Sequence, residues 1–533
     1  MRSIYKILSF CLLLLLLSAC NPNEKKELGS VFRFNISSAI NSLDPAFAKD
    51  QASIWLVYQM YNGLITLDNE LNVKPALAKS WEISEDGLHY TFHLRTDVHF
   101  HKNDLIAKER TLKASDVVYS FQRIIDPKVA SPGSWIFNDK LAENKPFKAL
   151  NDSTFQLSLN SPFGPMLSLL SMPYCFVLPE EVVAHYKSDF RKNPVGTGPF
   201  QLKVWKEGQV IILEKNQDYF EEGLPKLDAV RVSFIESKET EYLKFIQGDI
   251  DFMSGIDPAY IDELLDKEGK LKAEWNGKIE LLKAPYLNTE YLGILQSTDN
   301  TALNKKAIRQ AINYGFDRRQ MIRFLRNNIG IPAEQGFIPF GLPGFNPQAD
   351  YGYSYNPDKA RQLIKQSGYS GEKIKLLTNS SYEDIGTYIV RQLNEIGLNI
   401  EMDIVPPAFQ REMMAKGDAD FFRGSWIADY PDAENYLALF YGPLGAPPNY
   451  TNYSNPVYDK LYEAALKENN EAERLKLYRN MDSLIMKDAV VVPLYYDQVL
   501  RFVQKNISGL NPNPINLLVL KNVSIQKPIK TDE

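Results

Sequence analysis

The chain has 533 residues and a formal net charge of -6, with 44% hydrophobic and 24% charged residues. A chain this long exceeds one simple core and implies two or three structural units of ordinary globular composition. The mildly acidic balance argues against a nucleic-acid binder, which needs a concentrated basic surface. Three cysteines, Cys11, Cys20 and Cys175, leave a single ordinary thiol once the leader described next is removed, so no intrachain disulfide framework is expected.

Arg2 and Lys6 precede an apolar run from Ile7 to Leu17. The run falls short of the ~20 residues that a membrane-spanning helix needs and reads as a secretory signal peptide over residues 1–20. It ends in Leu17-Ser18-Ala19-Cys20, which resembles the lipobox of bacterial lipoproteins. That resemblance implies that Cys20 becomes the first mature residue and carries lipid, palmitate among its acyl chains; several such chains hold a protein at a membrane stably. Residues 21–30 are polar and read as a flexible tether. No later stretch is apolar enough to span a bilayer, so the remainder reads as soluble.

Leu88 to Leu94 alternates apolar and polar residues, the period of a half-buried strand. Four of the five histidines, His89, His93, His99 and His101, gather here. His89 and His93 on one strand face sit ~13 Å apart, and no Cys or paired carboxylate joins His99 and His101 at ligand spacing. They are expected to be solvated strand histidines, with no metal site. Cys175 reads as a small buried hydrophobe. Gly196-Thr197-Gly198-Pro199 lacks the Lys-Ser/Thr of a phosphate loop and reads as a turn. Val210–Leu213 and 229–235 read as strands.

Leu303, Ala307, Ile308, Ala311 and Ile312 form an amphipathic stripe. Asp317 to Gln320 has the spacing of a capping box. Asn356-Pro357-Asp358 and Asn455-Pro456 each offer a cap followed by proline at the first helical position. Mixed strands and helices without a strict βαβ repeat suggest α/β architecture, sheets covered by helices. Asp429, Asp432 and Glu434 form an acidic cluster. Such a cluster is able to supply the acid and base of a glycosidase, but acids after the turn-like Tyr430-Pro431 read better as surface or ligand-binding groups. No G-x-S-x-G elbow and no H-E-x-x-H occurs. No catalytic residue is assigned.

Several segments then stand in a familiar order: Leu43-Asp44-Pro45, Tyr61-Asn62-Gly63-Leu64, the stretch from Pro75 to His101, Ala114 to Phe121, Asn193 to Phe200 (NPVGTGPF), Leu213 to Asn216, Asp218-Tyr219-Phe220, Pro225 to Asp228, Gly248 to Asp251, and Arg309 to Arg318. In this order the chain resembles the extracellular solute-binding proteins of family 5, the oligopeptide- and dipeptide-binding lipoproteins of ABC importers. The resemblance implies a two-lobe periplasmic-binding-protein-like α/β fold with a hinge and an extra subdomain. Lobe I would hold 21–285 plus 499–533, with the subdomain inserted near 55–189, and lobe II would hold 286–498. It also implies a monomer in the cell envelope, anchored to the outer face of the cytoplasmic membrane or lying in the periplasm, the outer membrane being a further possibility, with no cofactor and with importer permease subunits as partners.

The family's ligand segment matches Arg423 to Tyr430. By this resemblance Asp429 meets a peptide's α-amino group and Arg423 meets a peptide carboxylate. Ser425, Trp426 and Ile427 line the cleft, and Gln51 contributes from lobe I. An α-amino group titrates near ~8 and an Asp near ~4, so both are charged at neutral pH. The segment's backbone would also add an extended peptide as a strand. Trp426 is equally readable as a core ring. Family members also take metal chelates, haem or oligosaccharides, so a non-peptide solute is the alternative, and a secreted hydrolase using Asp429 with Asp432 or Glu434 a more distant one.

Overall fold

The computed structural model describes residues 29–107 and 110–526; the leader, Cys20 and most of the tether lie outside them. Among the described residues no helix is long and apolar enough to cross a membrane.

An eleven-stranded mixed sheet runs through the whole molecule. Two long strands, Ile279–Ile294 and Val491–Gln504, pair antiparallel along nearly their full length and occupy its centre. On one side their outer ends continue into Phe252–Ser254, Val31–Asn35, Ala229–Ser233, Val210–Lys215 and Phe200–Lys206. On the other side their inner ends meet Phe421–Ile427, then Lys373–Thr378 and Asn399–Ile404. Helices cover both faces of each half, giving the two-lobe α/β arrangement. A separate four-stranded antiparallel sheet, Ala78–Ile83, His89–Leu94, Thr154–Ser158 and Phe147–Asn151, lies beside the first half. Its inner rings Phe155 and Phe147 pack edge-on against Phe121 of the helix Ala114–Ile125, with Phe92 tilted against Phe155.

Local signals account for many element boundaries. Tyr90, Phe92 and Leu94 are buried while His89 is exposed, as the alternation predicts. The side chains of Asn356 and Asn455 accept from Lys359 N at 3.0 Å and Val457 N at 2.9 Å, starting the helices Pro357–Gln366 and Pro456–Lys467. Asp317 caps Arg318–Leu325 through Arg319 N and Gln320 N. The capping box is only half made, because Asp317 N donates to Gln392 Oε1 at 2.7 Å and not to Gln320. The strand expected over 229–235 leaves its ladder at Ser233 because Asn35 intervenes: its side-chain amide bonds both Ile235 N and Ile235 O. Of the apolar stripe, Ile308, Ala311 and Ile312 lie on Lys306–Tyr314, while Leu303 is buried just ahead of it.

The glycine-rich segment is a turn, and its environment corrects the reading of His101. His101 is not solvated: only 3% of it is exposed. Its Nε2 donates to Gly198 O at 2.9 Å and its Nδ1 accepts from Gly196 N at 3.2 Å, and burial pushes the imidazole down to about 4. A neutral ring thus clasps the turn. The turn in turn abuts the last residues of the helix Gln51–Met60, with Gly198 N donating to Met60 O at 2.9 Å. Cys175 is fully buried, and desolvation holds its thiol far above its ordinary range.

Two measurements test these packing arguments. A Cβ on Gly198 would stand 2.3 Å from the Met60 carbonyl carbon. Gly198→Ala should therefore cost about 1–3 kcal/mol, read as a lower midpoint in denaturant with unchanged slope. Asp482, on the helix Glu471–Asp488, is buried beside Phe337 N at 2.8 Å, and desolvation pushes its carboxyl up to about 7. A folded value above the unfolded ~4 means that the folded state holds the proton more tightly. The stabilisation is complete below ~4 and is lost as pH rises through about 7. Asp482→Asn should flatten that part of a stability-versus-pH profile.

Candidate functional site

The two long strands lose register between Pro285 and Thr289, where Tyr286, Leu287 and Asn288 fall opposite Asp497 alone. An irregularity of this kind re-aims side chains, and here it turns Tyr286 and Leu287 towards a pocket of about 140 Å3 between the lobes. Gln51, Ile54, Tyr58, Ser171, Met172, Pro173, Pro514, Ile515 and Leu517 wall it from one side; Tyr286, Leu287, Ile427, Ala428, Asp429, Tyr430 and Pro431 wall it from the other. Among the described residues, its lining includes one carboxylate, Asp429, and no Lys, Arg or His.

Asp429 follows the strand Phe421–Ile427, whose end is fixed by Ala428 N donating to Leu287 O at 2.9 Å. Six residues on, the buried amide of Asn435 sets the aspartate from two directions. Its Oδ1 accepts from Asp429 N at 3.1 Å and its Nδ2 donates to Asp429 Oδ2 at 3.2 Å. Asp429 keeps exposed surface because it lines the pocket. Desolvation by the surrounding walls still raises its carboxyl above the ordinary value, with the Asn435 amide opposing. The result is a carboxylate that is oriented but not neutralised.

The other expected residues divide between the strand's two faces. Ile427 is 49% exposed at the pocket. Gln51 lines it from the first turn of its helix, with Nε2 donating to Asn516 O at 3.1 Å. Arg423 and Ser425 share Ile427's face but lie deeper. The Arg423 guanidinium makes a very short ion pair with Glu290 and stacks on Tyr382, 3.3 Å from the ring centroid. Its Nε has no hydrogen-bond partner. Ser425 Oγ donates to Glu290 Oε1 at 2.7 Å and Asn288 Oδ1 at 2.9 Å. Trp426 points to the opposite face, packs on the lobe core around Tyr436 and donates Nε1 to Asn435 Oδ1 at 3.0 Å; it holds the residue that holds Asp429. Along the strand's outer edge, Lys373–Thr378 pairs only with Phe421 and Phe422. Beyond them Gln410 Nε2 bonds Arg423 O and Tyr436 Oη bonds Trp426 O.

Asp432 and Glu434 are not surface acids beside Asp429. Both are about 6% exposed. Glu434 accepts short hydrogen bonds from the hydroxyls of Tyr430 and Tyr462, and Asp432 faces Arg474 at 3.8 Å. Burial raises both carboxyls. Among the described residues no group of three or more potential metal ligands comes together. Tyr58, Met172, Tyr286, Ile515 and Asn435 belong to the site and were not singled out from sequence. Of these, only Asn435 carried a local signal, an Asx side chain six residues after the aspartate.

Residues 72–447 match the model of the bacterial extracellular solute-binding proteins, family 5 Middle. The glutathione-binding protein GsiB of Salmonella typhimurium is 26% identical over 488 residues, 89% of this chain and 90% of that protein. Heme-binding protein A of Haemophilus influenzae is 26% identical over 489 residues, 88% of this chain and 87% of that protein. The structure of the ABC transporter-associated periplasmic binding protein DppA from Helicobacter pylori, in complex with the peptide STSA, superposes with a TM-score of 0.71. It is 27% identical, covering 95% of this chain and 99% of that one. With the two-lobe fold and the interlobe pocket in place, the match over more than half its length shows that this chain belongs to the family 5 bacterial extracellular solute-binding proteins.

Proposed function

We propose that the chain is the substrate-binding lipoprotein of an ABC importer, that it binds short peptides in the interlobe cleft and that it delivers them to the membrane permease. The observation that carries this reading is Asp429: an oriented carboxylate, without a cationic partner among the described residues, in a pocket walled by both lobes. A peptide's α-amino group is the matching charge, and pairing it there satisfies both ions away from water. Lobe I would comprise 21–285 and 499–533, with the inserted subdomain near 55–189, and lobe II 286–498. In this reading the register break at Pro285–Thr289 serves as hinge, and a ligand touching both walls favours their approach. Cys20 carries the anchor, and no covalent step is needed. The name of Heme-binding protein A favours a non-peptide solute as second reading.

Asp429→Ala should weaken peptide binding by about 2–5 kcal/mol, the usual effect of removing one member of a buried charge pair, with the thermal midpoint unchanged. Calorimetry on the variant checks this, and undiminished affinity would remove Asp429 from the site. Binding should also be bell-shaped in pH. It needs ionised Asp429, whose carboxyl lies above the ordinary ~4, and a protonated amine, which is lost above ~8. Asp429→Asn should abolish the acidic limb, and native mass spectrometry of freshly purified protein should show bound peptide.

A further inference from the structure

We infer that this receptor reads only the amino end of its ligand. Its substrates are peptides of varied length with an apolar first residue, and their carboxyl end is left unread, free acid or amide alike. The inference rests on Asp429 as the amine anchor and asks what else the cleft is able to neutralise.

A carboxylate brought out of water needs a cation that is not already committed. Among the described residues, the pocket lining has none. On the strand leading to it, Arg423 is committed to Glu290, whose side chain is 4% exposed, and to the face of Tyr382. Turning Arg423 towards a ligand would strand the Glu290 carboxylate in a buried position, where Ser425 Oγ is its remaining donor on that strand. The nearby Arg326 is likewise taken: Nη2 meets Asp497 at 2.9 Å, Nη1 donates to Tyr495 Oη at 2.9 Å, and the guanidinium lies over the Tyr495 ring. Each of these arginines has its own acid and its own aromatic face, and Arg423 Nε, its one unpartnered donor among the described residues, is itself buried, so a ligand carboxylate would have to share or displace an existing partner.

The walls around Asp429 are apolar, with Ile54, Tyr58, Met172, Ile427 and Ile515 converging on the pocket. A volume of about 140 Å3 lies well under the ~300–1,000 Å3 of a pocket that swallows a whole small ligand, so it seats one end. An amine flanked by an apolar side chain fits those walls. A second carboxylate does not, which separates this ligand class from polyanionic solutes.

Calorimetry on the purified mature protein tests this with four probes: Leu-Ala-Ala-Ala, its C-terminal amide, its N-acetylated form, and Glu-Ala-Ala-Ala. The amide should bind within about threefold of the free acid, and the Glu-first peptide about tenfold or more weaker, since each tenfold is ~1.4 kcal/mol. The acetylated peptide should lose about 30-fold or more, because it strands Asp429. An amide weakened by about tenfold or more, or a Glu-first peptide bound as well as the parent, overturns the inference while leaving the amine anchor standing. An acetylated peptide that binds like its parent overturns the anchor itself. Binding by none of the four removes peptides as the ligand, and the inference with them.

Discussion

The antiparallel pairing of Ile279–Ile294 with Val491–Gln504 is the constraint from which the rest follows. Two strands that continue through both lobes make one sheet out of two cores. Of the two places where their ladder shifts register, the wider, at Tyr286 to Asn288, is therefore where the halves meet with least backbone holding them in register. The same irregularity supplies two pocket walls. In the proposed function, joint and binding surface are thus one feature, with Tyr286 standing at both.

Charge around this joint is arranged so that nearly every buried ion is already answered. Asp44 meets Arg123 through two bonds of 2.8 and 2.5 Å, Glu290 meets Arg423, Asp432 faces Arg474, and Glu434 is held by two tyrosine hydroxyls. Removing one member of such a pair leaves an uncompensated charge and is strongly destabilising, so these groups are poor candidates for contacts that form and break. Asp429 differs in having an amide as its partner. A neutral hydrogen-bonding neighbour fixes where the carboxylate points without cancelling it, which is what a receptor for a cation requires.

Much of the fold was legible because it is written locally. Caps at Asn356 and Asn455, the alternation at Tyr90, Phe92 and Leu94, and the turn at Gly196 to Gly198 depend on neighbours a few residues away. The position of Asp429 was legible through the family segment around it. What failed did so for long-range reasons. His101 read as solvated because nothing near it in sequence says that Gly196 and Gly198 will fold over its ring. Asp432 and Glu434 read as surface acids because Tyr462 and Arg474 come from later helices; only Tyr430, four residues before Glu434, is a local partner. The Glu290 partner of Arg423 was likewise not legible, because it comes from a strand more than a hundred residues earlier. The pocket walls Tyr58, Met172 and Ile515 are distant in the chain and carry no mark of their shared location.

The segment 513–518 closes one side of the cleft. Asn516 O accepts from Gln51 Nε2 and from Trp55 Nε1, and Leu518 O accepts from Gln59 Nε2 at 2.6 Å. The buried Arg501 guanidinium grips Leu517 O at 2.7 Å. The helix that begins at Gln51 and the backbone that completes its cleft face are separated by 465 and 459 residues at the Gln51 and Gln59 bonds. That wall therefore exists only once both distant segments have docked, and local unfolding of either one opens the pocket.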